Sequence, residues 1–406
     1  MAGYKYVGGL IGESNESIKI HLLNCTNNAA VTSANVDAGG MLGNVGSFYA
    51  CGCINSGAVT ANRGGAGGIS GYHNKAASVK NSKNTGEIIG YDCAGGISGR
   101  IESDSRHSRY TGNENTGNIT ATTKGSAGGI VGWTDGGGSY VDNKNSGNVL
   151  CTAGDKERTA GGILGGNEDD PILLKNNENR GTVKGVLQTG GIAGYLGDKD
   201  LDRIVVAVSN RNSGAVTSTS KDAGGIIGSL GTDNAHHEVN FNENTGSVSG
   251  QACAGGIIGW MAGGGTFDGN TNRAKILSQA NDAGGLVGRI EDDKCEFKNS
   301  EVYKPYVCTG SVPSPRATAD YDYVIRSANS DKSVGKLCGW DGRRKATVNS
   351  DTLIATIFGD GNVWILVGMV GVLLAAAVVL IAVKKKKQSA AGSTKEAETK
   401  AKKTER

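Results

Sequence analysis

Proline is nearly absent, four residues in 406, and the abundant glycine has no three-residue period, so a collagen-like triple helix is excluded. Aromatic residues make up only 5% of the chain, too few for a β-propeller, whose blades also need roughly 40 to 50 residues each. Only five histidines occur, and "HHEVN" (236–240) lacks the H-E-x-x-H spacing of a zinc protease helix. His236 and His237 read as part of a solvated loop between repeats. The nine cysteines hold one C-x-C, Cys51 and Cys53, without the second cluster that a zinc set needs. Cys308 and Cys338 could pair. The glycine runs "GGGSYVDN" and "GGGTFDGN" lack the following Gly-Lys-Ser/Thr of a phosphate loop. They also occur singly, not as the tandem nonapeptides of a calcium-binding toxin repeat. No nucleophile sits in a recognisable elbow. No catalytic residue, cofactor or metal site is therefore expected, and the chain reads as a non-catalytic protein.

What the chain has is repetition, the first thing to look for in a sequence of this kind. A glycine pair begins at Gly8, Gly39, Gly67, Gly95, Gly128, Gly161, Gly190, Gly224, Gly255 and Gly284, at spacings of 28 to 34 residues. Each pair opens Gly-Gly-aliphatic-x-Gly, and its third place is large and apolar throughout: Leu10, Met41, Ile69, Ile97, Ile130, Ile163, Ile192, Ile226, Ile257 and Leu286. Upstream stands Asn-x-Gly-x-Val/Ile, as in "NSGAV", "NTGNI" and "NTGSV", degrading to "NNAAV" and "NRAKI" in the end copies. Six copies add an Asn two residues earlier, at Asn113, Asn143, Asn177, Asn210, Asn242 and Asn270; Cys25 and Cys53 fill that place elsewhere.

Short β-branched runs bounded by Gly, Asn, Ser and Thr mark strands between turns, and no window before residue 350 supports an ordinary helix. One unit holds too few large apolar side chains to offset its own ordering entropy. Stacked units share a continuous core at the ~4.8 Å strand separation. The expected fold is an all-β solenoid (β-helix) of about ten coils of 28–34 residues over 1–296, with glycines at the corners where φ is positive or backbones approach closely. Stacked Asn side chains are expected to pair as ladders along the axis. "GGNEDDP" follows Leu164 without an evident strand, which suggests an enlarged loop near residues 165 to 175.

The Gly-Gly-Leu/Ile-x-Gly core with its upstream Asn-x-Gly-x-Val resembles the GLUG-motif repeat of bacterial surface proteins, over roughly residues 1 to 290. That resemblance implies an extracellular, adhesin-like repeat region.

The ends carry a different grammar. Residues 297–340 read as a degenerate final coil and cap, and 341–362 as a short stalk. Residues 363–383 are twenty-one uncharged residues, about 31 Å as a helix, which matches a ~30 Å hydrocarbon core. Lys384 to Lys387 follow at once. The positive-inside rule then makes 384–406 a cytoplasmic tail and places the repeats outside a plasma membrane crossed by this single C-terminal transmembrane helix. The tail holds nine Lys and Arg against three Glu, +6, which leaves −3 of the overall +3 for residues 1–383. So weak a balance in the repeats argues against nucleic acid. The first residues lack a basic and apolar leader, and an upstream export signal is expected to belong to a longer protein.

Partners are expected on the outer surface: host or cell-wall glycans, or surface proteins. Tyr72, Trp133, Tyr195 and Trp260 take one place after the glycine motif, where aromatics can stack on sugars or anchor a protein, or simply fill a coil corner. The acidic runs at Glu168 and Glu291 read as solvated loops. A passive stalk and a surface polysaccharide-acting enzyme are the alternatives. The enzyme would need Asp, Arg or Lys gathered from neighbouring coils.

Overall fold

A computed structural model describes residues 1–302 and 306–308, apart from 103–107, 153–157, 169–170, 198–203, 232–235, 280–281 and 292–294. Each repeat folds into one coil of five strands. In a central coil these are strand a (Lys144–Asn145), b (Val149–Cys151), c (Ala160–Gly161), d (Leu164–Asn167) and e (Ile172–Lys175). Every strand pairs in parallel with its counterpart in the next coil, so five sheets run along the stacked coils, each ten or eleven strands deep. The result is a parallel β-solenoid of about nine turns over residues 2–298.

The coils share their core as the repeats require. The aliphatic third place forms an axial stack from Met41 to Leu286, each member 0–1% exposed. Leu10, in the first coil, is 52% exposed because no described coil lies above it. Between Val31 and Ile276 the last position of the Asn-x-Gly-x-Val/Ile motif forms a second buried stack on strand b. Two cores result: one lies between the aliphatic stack and strands d and e, the other between strands b and c.

An asparagine ladder runs beneath the glycine pairs. The ladder has nine Asn side chains, Asn27 to Asn272, and the first eight each give one Nδ2–H to the Oδ1 of the next coil's Asn, at 2.7–3.0 Å, and another to a carbonyl two residues on. The last of them, Asn272, gives only the carbonyl bond. The earlier Asn forms a second ladder, Asn113 to Asn270, in which each Oδ1 also accepts the preceding coil's backbone N–H.

The ladder explains the glycine pair. A Cβ on Gly129 would stand 2.0 Å from Gly162 O and 2.5 Å from the Asn145 side chain. Close approach, one of the two reasons expected, is therefore what these glycines serve, and none of the pairs has a positive φ. The left-handed corner lies instead just before the second ladder, at Asn24, Gly52, Asn81, Gly112, Asp142, Asn176, Ser209, Phe241, Gly269 and Asn299. Only residue types that tolerate αL fit there without strain, and Asn and Gly fill seven of the ten places.

Two further expectations change. His236 and His237 do not lie in a loop: they open a strand, His236–Asn240, and His237 is fully buried, its Nδ1 accepting Val205 N–H at 3.2 Å. The region 165 to 175 is not an enlarged loop, since strands d and e of that coil occupy Leu164–Asn167 and Ile172–Lys175. Of the cap, residues 297–302 and 306–308 are described: the end of strand Cys295–Lys298, then strands Glu301–Val302 and Tyr306–Cys308. The rest of the cap, the stalk, the transmembrane segment 363–383, the tail and Cys338 lie outside the described residues.

Candidate functional site

Register decides what strand d presents outward. One row reads Asn44, Tyr72, Arg100, Trp133, Gly166, Tyr195, Ser229, Trp260 and Arg289 from coil to coil. The four singled-out aromatics all lie in it, within strands rather than at coil corners, and each is half-buried. They occupy every second coil. Packing constrains particular neighbours, because a ring on one coil lies over the residue of the next. A Cβ on Gly166 would meet the Trp133 ring at 2.4 Å, and one on Gly231 would meet the Tyr195 hydroxyl at 2.7 Å. A small residue is thus required at Gly166 beside Trp133, whereas Tyr72 and Trp260 are followed in the row by Arg100 and Arg289.

Carboxylates flank this row on both sides. On one side Asp37, Asp222 and Asp282 stand immediately before the Ala-Gly of strand c, with Asp92 in the adjoining turn. On the other, Glu102, Asp135, Glu168 and Glu291 follow the end of strand d. Arg100 bridges the two sides, 3.5 Å from Asp92 and 3.3 Å from Asp135. Arg289 does the same between Asp282 (3.9 Å) and Glu291 (3.1 Å). The aromatics join this network: Tyr72 donates its hydroxyl to Glu102, and Trp133 Nε1–H donates to Asp135.

Burial sets the electrostatics. Asp37 is pushed up to about 6 by desolvation, partly offset by the N–H of Gly65 at 2.8 Å and the amide of Asn44 at 3.4 Å. Desolvation likewise raises Asp222, which accepts from Ser229 Oγ at 3.1 Å, and Asp282. Cys93 and Cys253 occupy the same place as these aspartates in other coils, and burial holds both thiols well above the ordinary range. They are wall residues, as are the buried thiols Cys53 and Cys151.

The sequence had flagged the aromatics and missed the ions around them. A signal was there: "DAGG" recurs at 37–40, 222–225 and 282–285. The acidic runs had been read as loops, yet Glu168 and Glu291 are the members that flank the row. Among the described residues no group of three or more His, Cys, Asp and Glu is arranged to hold a metal ion. Compared with protein-family models, curated proteins and solved structures, the chain matches none.

Proposed function

We propose that this chain is a bacterial cell-surface repeat protein of the GLUG-motif type, a non-catalytic adhesin or ligand-binding module held by one transmembrane helix at 363–383 with its repeats outside. The observation that carries the binding reading is the strand-d row. Four half-buried aromatics share one face in register, at even intervals. A packing role alone needs no shared row. A long solenoid with aromatics repeated along it offers an extended surface suited to glycans or to a surface protein. The membrane and localisation parts rest on the hydrophobic run and its basic flank alone.

The test is saturable binding of the full chain, in lipid nanodiscs, to mucins, matrix proteins and cell-wall glycans. It is repeated with Trp133→Ala and Trp260→Ala together. Binding that the double variant loses supports the reading. A folded protein that binds nothing turns it toward a passive stalk.

One observation favours a second reading, a polysaccharide-acting enzyme. Asp37, Asp92, Arg100 and Asp135 come from neighbouring coils, the gathering that such an enzyme needs. Against it, Asp92 and Asp135 are ion-paired to Arg100, and both oxygens of Asp37 already accept hydrogen bonds. Release of reducing ends from glycans that stops in Asp37→Asn would establish it.

A further inference from the structure

We infer that Cys25 and Cys53 are a disulfide site: with an external disulfide as oxidant, the two thiols join and clip one coil to the next. The site is independent of any ligand on the strand-d row.

Backbone register places the pair. The column that carries the second asparagine ladder begins with Cys25, Cys53 and Ser82, ahead of the asparagines from Asn113 to Asn270. Each cysteine follows a left-handed corner, Asn24 at φ 50° and Gly52 at φ 64°, and directly precedes a strand a. Those strands, Thr26–Asn27 and Ile54–Asn55, pair in parallel with Thr26 opposite Ile54, and Ile54 N–H donates to Cys25 O at 2.9 Å. The cysteines therefore face each other one parallel-strand separation apart. That is ~4.8 Å, inside the roughly 4.4–6.8 Å between Cα atoms that a disulfide spans.

The side chains agree with the backbone. Cys25 Sγ donates to Leu23 O and Cys53 Sγ to Cys51 O, each at 3.6 Å, so both thiols take one orientation and lie side by side. Burial pushes the Cys53 thiol up, and the Cys25 thiol beside it adds to the rise. Cys51, the nearest competitor in the sequence, stands opposite Leu23 and Lys80 instead. The column also lacks a rung here. Its asparagines give Nδ2–H to the next coil's Oδ1, whereas a thiol has one hydrogen, already given to the carbonyl two residues back. A covalent bond supplies the missing tie.

Cys25 is the less buried of the two and reacts first. Its thiolate attacks one sulfur of the external disulfide and releases one thiol, leaving a mixed disulfide. Cys53 then attacks the Cys25 sulfur and expels the second thiol. Two electrons pass from the cysteines to the external disulfide, and their two protons end on the released thiols. Such a bond persists in an oxidising compartment, which is where the proposed location puts the repeats.

The test reduces the full chain in nanodiscs, exposes it to oxidised glutathione, alkylates it and maps the products by mass spectrometry. The expected product is a peptide pair joining Cys25 to Cys53, favoured roughly tenfold or more over Cys25 with Cys51; in urea the preference should fall to near parity. Cys51→Ser should keep the bond. Cys53→Ser, which puts into the column the residue type that Ser82 already places there, should fold and leave Cys25 as a glutathione adduct. Hydrogen exchange in strand Lys19–Leu23 should slow roughly tenfold or more once the bond forms. No link in the folded parent, a link to Cys51 in its place, or a preference that survives in urea overturns the built site. Unchanged exchange overturns the clip.

Discussion

Asn145 sits at the middle of the ladder beneath the glycine pairs, with almost no exposed surface. Its Nδ2 gives hydrogens to Asn179 Oδ1 and Gly147 O, both at 2.8 Å, and its Oδ1 accepts from Asn115 at 2.7 Å. Asn145→Ala removes all three bonds and leaves three groups without partners: one N–H of Asn115, Asn179 Oδ1 and Gly147 O. A buried polar group left unpaired costs about 1–3 kcal/mol, so the substitution is expected to cost roughly 3–6 kcal/mol. The same change at the ladder's end, Asn27→Ala, strands only Asn55 Oδ1 inside the protein and should cost about 1–2 kcal/mol. Ser146→Ala, one residue away and exposed, should fall within about 0.5 kcal/mol of the parent. Asn145→Asp is the sharper probe. It turns a donor into an acceptor facing two acceptors, and the buried carboxyl gains a raised pKa. A raised pKa means stability present in acid and lost as pH rises, so this variant should be least stable above neutrality. Urea unfolding followed by circular dichroism reads all four, with comparison restricted to variants of equal slope because repeat arrays can unfold in stages. A cost below about 1 kcal/mol for Asn145→Ala, or one equal to that of Asn27→Ala, refutes the ladder as a source of stability.

Gly129→Ala drives a Cβ to 2.0 Å from Gly162 O, a backbone atom that cannot turn aside, and soluble folded protein is expected to be lost. Recovery at parental yield contradicts the close-approach account. Phe241 holds φ 57° at an exposed corner where seven other coils carry Asn or Gly, so Phe241→Asn should raise stability by about 1 kcal/mol, read as a higher urea midpoint. His73 is fully buried and lowered to about 4 by desolvation, with its Nδ1 donating to Lys75 O and its Nε2 2.9 Å from Tyr110 Oη. The unfolded chain takes up its proton first, so His73 removes about 3 kcal/mol as pH falls from 6.5 to 4. Asp37, raised to about 6, has the opposite sign: its contribution is present below 3.8 and lost as pH rises through 6. Asp37→Asn should therefore gain stability at pH 7 and expose a steeper loss toward acid than the parent shows. An unchanged pH profile contradicts the assignment.

Much of this was legible from residues 1 to 290. The 28–34-residue recurrence of glycine pair and aliphatic residue gave coils, and β-branched runs of two or three residues gave strands. Asn at a fixed offset gave the ladder, because a side chain carrying both donor and acceptor, repeated every coil, has its own copy as its nearest partner. Even the shared place of Tyr72, Trp133, Tyr195 and Trp260 was visible by counting from the motif.

Other features depended on distances across coils. Whether a glycine serves a left-handed corner or a close approach is not written in its identity, and the corner proved to lie at Asn24, Asn81 and their equivalents instead. Loops of uneven length between strands detach sequence distance from axial position. That is how Asp92, Arg100 and Asp135 meet, and how His237 turns from an apparent loop residue into a core residue. The sequence determined by itself that this chain is a stack of like coils, since each copy lacks a core that only another copy completes. The tertiary structure decided that the aromatics stand on every second coil, with Arg100, Gly166 and Ser229 between them, and with carboxylates on both sides. That arrangement exists only once ~4.8 Å parallel pairing sets one coil's side chains over the next.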